Sequence, residues 1–134
     1  EELPADVEFN IIAFNVRNYP WQLKLLPATA ENKQNALYFI AAQGLGNATA
    51  SYDALDAALE FDAEAVYFLT DGAPHGGRIT NPPAIVKAIT QANTYRRMTI
   101  NSIGIGVGPS GNAFDTFLAT LAQHNYGEYQ RVDQ

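Results

Sequence analysis

The stretch VYFLTDGAPHGG, which spans Val66 to Gly77, decides the fold. Val66–Thr70 is largely apolar without alternation, which is typical of a buried strand in a parallel sheet, and this strand stops abruptly at Asp71 and Gly72. Ligands of such sheets bind at the C-terminal rim, where the carboxyl ends of the strands meet the loops. Asp71 is therefore either an ordinary Asp-Gly turn residue or a rim carboxylate that holds a cation or a polar ligand, with Gly72 leaving room beside it.

Strand-like and helix-like segments alternate on both sides of this stretch. We expect four mostly parallel strands near residues 7–14, 65–70, 98–105 and 127–132, and an antiparallel edge segment near residues 21–26. Helices are expected at about residues 29–44, 51–61, 82–96 and 113–125. Thr29 and Asn81 are suited to cap the first and third of these helices. Strands separated by helices predict an α/β fold with a doubly wound, mostly parallel sheet and helices on both faces.

The composition indicates one globular domain that covers residues 1–134. Hydrophobic residues make up 47% of the chain and charged residues 16%, which excludes a disordered chain. The formal net charge of −6 disfavours nucleic acid and anionic membranes as partners. No apolar run approaches the length of a membrane span. Because the chain has no Cys, disulfides and thiolate metal sites are excluded as well.

A second polar position favours metal binding at Asp71. Thr49 lies in the loop of GNATASYDAL, which also falls at the C-terminal rim. A hydroxyl and a carboxylate from separate loops are hard oxygen donors, which suit Mg²⁺. The alternative for Thr49 is a helix cap or an ordinary loop hydroxyl, and Ser51 could cap the same helix. Asp53 and His75 lie near these positions in the sequence, where the alternatives are a solvated helix residue and an exposed loop histidine.

Five segments, taken in order, resemble the von Willebrand factor A family: FNIIAFN, GNATASYDALDAAL, VYFLTDGAP, INSIGIG and FLATLAQHNYGEYQRV. Together they cover nearly the whole chain. The resemblance implies a Rossmann-like α/β fold and a protein-interaction or cell-adhesion domain rather than an enzyme. It also favours a location outside the cytoplasm or in the cell envelope.

The family's metal-ion-dependent adhesion site combines an Asp-x-Ser-x-Ser motif on the first strand with a Thr and an Asp from later loops. By resemblance, Thr49 and Asp71 match the second and third elements, and Asp53, Gly72 and His75 are candidates for supporting positions around the metal. No Asp-x-Ser-x-Ser occurs in the 134 residues. We therefore expect Mg²⁺ binding by this chain alone to be weak or absent.

The same comparison implies that the family's first strand and helix are missing from the chain, so that the domain is N-terminally incomplete. In the family this strand is central, between the strands that FNIIAF and VYFLT resemble. Its absence would leave two inner edges with unpaired backbone groups, which are costly when buried. We expect another polypeptide, or an upstream segment, to fill this gap.

Two other functions are compatible with the sequence besides a metal-dependent interaction domain. The first is a structural assembly subunit whose metal site is vestigial. The second is a nucleotide-binding α/β enzyme, because GVGPSG at Gly106–Gly111 satisfies G-x-G-x-x-G between a strand and a helix. Pro109 lies inside that loop and only one strand follows it, which favours a glycine-rich turn. No Ser, His and Asp set has a placement typical of catalysis, so we expect no enzyme.

Overall fold

The computed structural model describes residues 4–14, 18–42 and 49–132, and these form short strands and four helices. The strands are β1 (Glu8–Phe9), β2 (Ile12–Phe14), β3 (Asn18–Pro20), β4 (Leu26–Pro27), β5 (Ala65–Thr70), β6 (Thr99–Ile105) and β7 (Tyr129–Val132). The helices are α1 (Ala30–Ala41), α2 (Ser51–Ala58), α3 (Pro82–Ala92) and α4 (Ala113–His124). Within the described ranges, no helix combines the length and the apolar character that a membrane crossing requires.

The main sheet consists of three parallel strands in the order β5-β6-β7. Tyr67 pairs with Asn101 and Leu69 with Ile103 between the first two strands. Each strand is joined to the next by a helix, α3 and then α4, as in a βαβ unit. The predicted α/β class with a parallel sheet is confirmed, and these three strands lie within two residues of their predicted bounds.

The predicted strand over residues 7–14 is divided into β1 and β2 around Asn10. The Asn10 side chain donates to the Gln22 carbonyl at 2.7 Å and accepts from the Gln22 and Ile11 amides, so it replaces backbone pairing at this point. β1 pairs with β4 and β2 with β3, and both pairings are antiparallel. These pairs are two-stranded sheets separate from the main sheet. The prediction that residues 7–14 belong to the parallel strands is therefore wrong for the described residues. The antiparallel direction of the next segment was predicted correctly, but this segment occupies 18–20 and 26–27 rather than 21–26.

The helix starts follow the predicted caps. The Thr29 hydroxyl accepts from the Asn32 amide at 3.2 Å, and the Asn81 side chain accepts from the Ala84 amide at 2.9 Å. Pro follows Asn81 at the first helical position, where its missing N–H costs nothing. The predicted end of α1 at Gly44 lies outside the described residues.

α3 ends at Ala92, earlier than the predicted end near Arg96. The buried Asn93 side chain accepts from the Met98 amide at 2.9 Å and donates to the Met98 carbonyl at 2.7 Å. These two bonds close a loop in which Arg97 adopts a positive φ of 55°, a conformation that no helix continues.

The core lies between the main sheet and α2, α3 and α4. Its largest fully buried apolar side chains are Leu55, Ile85, Ile89, Met98, Ile100, Leu118 and Leu121. Along β6, Ile100, Ser102 and Gly104 are buried, whereas the residues between them are half-buried. The core therefore packs on one face of β6, where α4 lies against the strand.

β5 forms one edge of the main sheet among the described residues, since it is hydrogen-bonded there to β6 alone. β2 is not paired with β5, although Phe14 and Phe68 stack with their ring centroids 5.6 Å apart. A direct pairing of the two strands would have contradicted the predicted gap, and the described residues show none. What lies on the other side of β5 stays a prediction.

Candidate functional site

The end of β5 is shaped by Thr70. This residue is 6% exposed, and its hydroxyl donates to the Gly72 carbonyl at 3.0 Å and accepts from the Gly72 amide at 3.3 Å. Both bonds span two residues and fold the chain tightly around Asp71, which is exposed. Thr70 therefore fixes the turn, while the Asp71 carboxylate is left to face solvent at the rim.

The Thr49 loop and the Asp71 loop lie against each other. The Thr49 amide donates to the His75 carbonyl at 3.2 Å, and the His75 amide donates to the Thr49 carbonyl at 2.9 Å, which makes a small antiparallel bridge. A Cβ added at Gly72 would lie 3.2 Å from the Thr49 hydroxyl oxygen. The structure thus brings the segments of Thr49, Asp71, Gly72 and His75 together at one place.

Neither Thr49 nor Ser51 caps α2. The N-cap residue is Ala50, and no side chain makes the capping hydrogen bond. The alternative interpretation of Thr49 and Ser51 as capping residues is therefore wrong. Ser51 is completely buried, and within the described part of the chain its hydroxyl has no hydrogen-bond partner.

Asp53 and His75, the other predicted supporting residues, differ in their surroundings. The Asp53 carboxylate accepts hydrogen bonds from the Arg78 side chain at 2.8 Å and from the Arg78 amide at 3.3 Å. His75 is exposed and joins the Thr49 loop through its backbone. No pattern in the sequence pointed to Arg78, because a contact across 25 positions leaves no periodic or local signal.

The two predicted metal donors do not complete a site by themselves. In the ranges that the structure describes, no group of three or more His, Asp or Glu side chains could hold a metal ion. Thr49 and Asp71 supply one hydroxyl and one carboxylate, whereas Mg²⁺ requires six oxygens in octahedral geometry and commonly keeps several waters. The residues present therefore do not fit the metal without donors from elsewhere.

The glycine-rich loop at Gly106–Gly111 is held by a carboxylate of the chain itself. The Gly111 amide donates to Asp115 Oδ2 at 2.8 Å. The other oxygen, Oδ1, accepts from the Tyr129 hydroxyl at 2.7 Å and from the Arg131 guanidinium at 2.8 Å. Arg131 also donates to the Gly108 carbonyl. A phosphate bound at this loop and at the start of α4 would therefore lie next to the Asp115 carboxylate, which would repel it. This favours the glycine-rich turn over a nucleotide site.

These contacts set the ionisation of both groups. The hydrogen bonds from Tyr129 and from the Gly111 amide lower the pKa of Asp115. Burial and the hydrogen bond to Asp115 raise the pKa of Tyr129 to about 12. At neutral pH, Asp115 is therefore an anion and Tyr129 is a neutral donor.

Comparisons with known proteins agree with this architecture. The model of the von Willebrand factor type A domain family matches residues 1–131. Human inter-alpha-trypsin inhibitor heavy chain H4 is 29% identical over 147 aligned positions, which cover all of this chain and 15% of that protein. The chain thus spans about a seventh of the length of this relative.

A solved structure shares the fold. Proximal thread matrix protein 1 from the mussel byssus superposes with a TM-score of 0.62 at 20% identity, over 94% of this chain and 30% of the other. At this identity the likeness concerns the fold alone. The family match extends over almost the entire chain. The chain therefore belongs to the von Willebrand factor type A domain family.

Proposed function

We propose that this domain binds a partner protein at the C-terminal rim, with the Thr49 loop and the Asp71 loop as the contact surface. The single observation that supports this most is the backbone bridge between Thr49 and His75, which places a hydroxyl beside Gly72 and the exposed Asp71. Membership of the von Willebrand factor type A family supports an interaction domain of the adhesion type. We propose a binding role rather than a catalytic one, in a compartment outside the cytoplasm or in the cell envelope.

Mg²⁺ enters this proposal as an ion whose site is completed by residues outside this chain. Thr49 and Asp71 would provide two oxygens, and Gly72 would keep the space between them free of side chains. A bound divalent cation supplies positive charge that attracts a partner carboxylate. The remaining donors would have to come from the segment or polypeptide that lies beside β5.

The edge of β5 that is unpaired among the described residues supports a second contact. Tyr67 and Leu69 are 69% and 51% exposed, although they belong to a largely apolar strand. In the described residues, the backbone groups on the side of β5 away from β6 have no strand partner. We propose that a strand, from another polypeptide or from an upstream segment, adds to this edge by main-chain hydrogen bonds.

The runner-up is a structural assembly module with a vestigial metal site. What favours it is the small number of donors, since among the described residues no group of three or more His, Asp or Glu side chains could hold a metal ion. Both proposals share the strand addition at β5. They differ in whether the rim needs a divalent cation.

A calorimetric Mg²⁺ titration separates them. The chain is measured alone and then with an Asp-x-Ser-x-Ser segment supplied in cis upstream of it. We expect no tight binding in the first case and binding in the second, which Asp71→Ala abolishes. Asp62→Ala, at another exposed carboxylate, is the matched control and should bind like the unaltered protein. Binding that survives Asp71→Ala would remove Asp71 from the site, and no binding in either form would favour the assembly module.

A further inference from the structure

One arginine ties the loop between β5 and α3 to helix α2. Arg78 Nε lies 2.8 Å from Asp53 Oδ1, and Arg78 Nη2 lies 2.8 Å from Asp56 Oδ2. Asp53 and Asp56 are three positions apart on α2, so both carboxylates project from the same side of the helix. The guanidinium carbon also lies 5.0 Å from the centre of the Tyr52 ring. We call this set of contacts, from Tyr52, Asp53 and Asp56 to Arg78, the arginine clamp.

The backbone of the loop is fitted to the clamp as well. The Arg78 amide donates to Asp53 Oδ1 at 3.3 Å. At Gly77, which has φ of 86°, an added Cβ would lie 3.0 Å from Asp53 Oδ2 and 3.1 Å from the Ala50 Cβ. Gly76 also has a positive φ, of 133°. Two glycines are thus used to bring the chain close enough to α2 for Arg78 to reach both carboxylates.

The arginine clamp and the rim are built from the same two segments, which are the Thr49 loop with the start of α2 and the loop between β5 and α3. Thr49 lies two residues before Ser51, where α2 begins, and His75 lies three residues before Arg78. The Thr49–His75 bridge therefore closes one end of a ring whose other end is closed by the clamp on α2. Between the two ends lie Gly76 and Gly77, which give the chain little stiffness of its own. The bridge consists of two backbone hydrogen bonds, so a second attachment is needed to keep it closed.

We propose that Arg78 is a positioning residue for the rim. Through Asp53 and Asp56 it holds the Asp71–His75 segment against the Thr49 loop, and so it sets how the Thr49 hydroxyl and the Asp71 carboxylate face a ligand. The importance of this placement for binding rests on the proposed function. The ring itself is a property of the loop and is tested without metal or partner.

The test is amide hydrogen exchange of the metal-free protein, read by NMR at single residues. In Arg78→Gln, the Thr49 and His75 amides should exchange about threefold to tenfold faster, as expected when a local opening becomes easier. The Ile103 amide of β6 should be unchanged, because the main sheet does not depend on the clamp. Arg97→Gln is the matched control: it removes the same charge from an exposed arginine beyond the far end of α3, and it should leave Thr49 and His75 as they are.

Two further variants separate positioning from general stability. Arg78→Lys keeps the charge but cannot bind both carboxylates through a planar fork. The Thr49 and His75 amides of this variant should therefore exchange at rates between those of the unaltered protein and of Arg78→Gln. The double variant Asp53→Asn with Arg78→Gln should exchange these amides little faster than Arg78→Gln alone, because both changes break the same contact. Unchanged exchange at Thr49 and His75 would overturn the proposal, and so would an equal rise at Ile103. Either result is independent of Mg²⁺, so it is distinct from a failure of the proposed function.

Discussion

The Tyr129 hydroxyl donates a 2.7 Å hydrogen bond to Asp115 Oδ1, and this bond joins the last strand to the first turn of α4. Arg131 adds an ion pair to the same oxygen at 2.8 Å. The glycine-rich loop is attached to the other carboxylate oxygen through Gly111. One carboxylate therefore connects a strand, a helix and a loop, which makes it a sensitive place to test the fold.

Acidification should destabilise the protein through Asp115. Its pKa is lowered in the folded state, so its contribution to stability is complete above the unfolded value of about 3.9 and is lost as the pH falls through the lower folded value. Urea unfolding measured between neutral pH and about pH 3 should show this loss, and Asp115→Asn should show a weaker pH dependence. Asp62→Asn serves as the control. Equal pH dependence in Asp115→Asn and the unaltered protein would contradict the assignment.

Tyr129→Phe should lower the free energy of unfolding by about 1 kcal/mol, the usual contribution of one hydrogen bond. The change removes only the hydroxyl, and the ring remains packed against the core. Denaturant unfolding at pH 7 measures the effect. The absorbance titration near pH 12 that belongs to Tyr129 should also disappear. A variant as stable as the original would mean that Arg131 and Gly111 hold Asp115 by themselves.

Two glycine substitutions should differ in severity. At Gly104 an added Cβ would meet side-chain atoms, Val107 Cγ2 at 2.4 Å and Leu118 Cδ1 at 2.7 Å, whereas at Gly127 it would lie 1.9 Å from the Ile100 carbonyl oxygen. Because side chains can move aside, Gly104→Ala should lower the free energy of unfolding by about 1–3 kcal/mol. Adding Val107→Ala to this variant should restore part of the lost stability. Gly127→Ala should cost more, because a strand backbone must shift. Thermal unfolding ranks the two variants, and the reverse order would refute this explanation.

Asn93→Leu should lower the free energy of unfolding by about 2–4 kcal/mol, because it leaves the buried Met98 amide and carbonyl without partners. The side chain is 1% exposed and also donates to Asn125 at 3.1 Å. Thr94→Ala, which removes one exposed hydrogen bond next in sequence, is the control and should cost less than about 1 kcal/mol. Similar losses for both would show that solvent reaches the Met98 backbone.

Asp71→Ala should leave the free energy of unfolding within about 0.5 kcal/mol of the original, as is usual for exposed positions. Thr70→Val, at the neighbouring buried position, should destabilise the turn because it removes both bonds to Gly72. Comparing the two by urea unfolding separates the residue that builds the rim from the residue that a ligand would use. A large loss of stability in Asp71→Ala would assign that carboxylate a structural role.

Sequence patterns were sufficient where the determining contacts are local. Thr29 and Asn81 cap helices through bonds that span three residues, and the apolar run that ends at Thr70 marks β5. The rim position of Asp71 followed from the rule that ligands bind at the carboxyl ends of parallel strands, since Asp71 comes directly after β5.

The features that escaped prediction depend on side chains that act over longer or irregular distances. Asn10 divides the first strand by bonding to Gln22, and Asn93 ends α3 by bonding to Met98. Arg78 joins two carboxylates more than twenty positions away. None of these contacts has a periodicity, so each becomes visible only when the loops are placed in space.

The side of β5 that has no strand partner in the described part of the chain has a practical consequence for work with this domain. Between Ala65 and Thr70 there is neither a charged residue nor a proline, the two kinds of gatekeeper that usually keep an exposed strand from pairing with other molecules. Preparations of the domain on its own should therefore self-associate as their concentration rises. A lysine placed at Tyr67 or Leu69, whose side chains point to solvent, is the simplest way to keep such a preparation soluble.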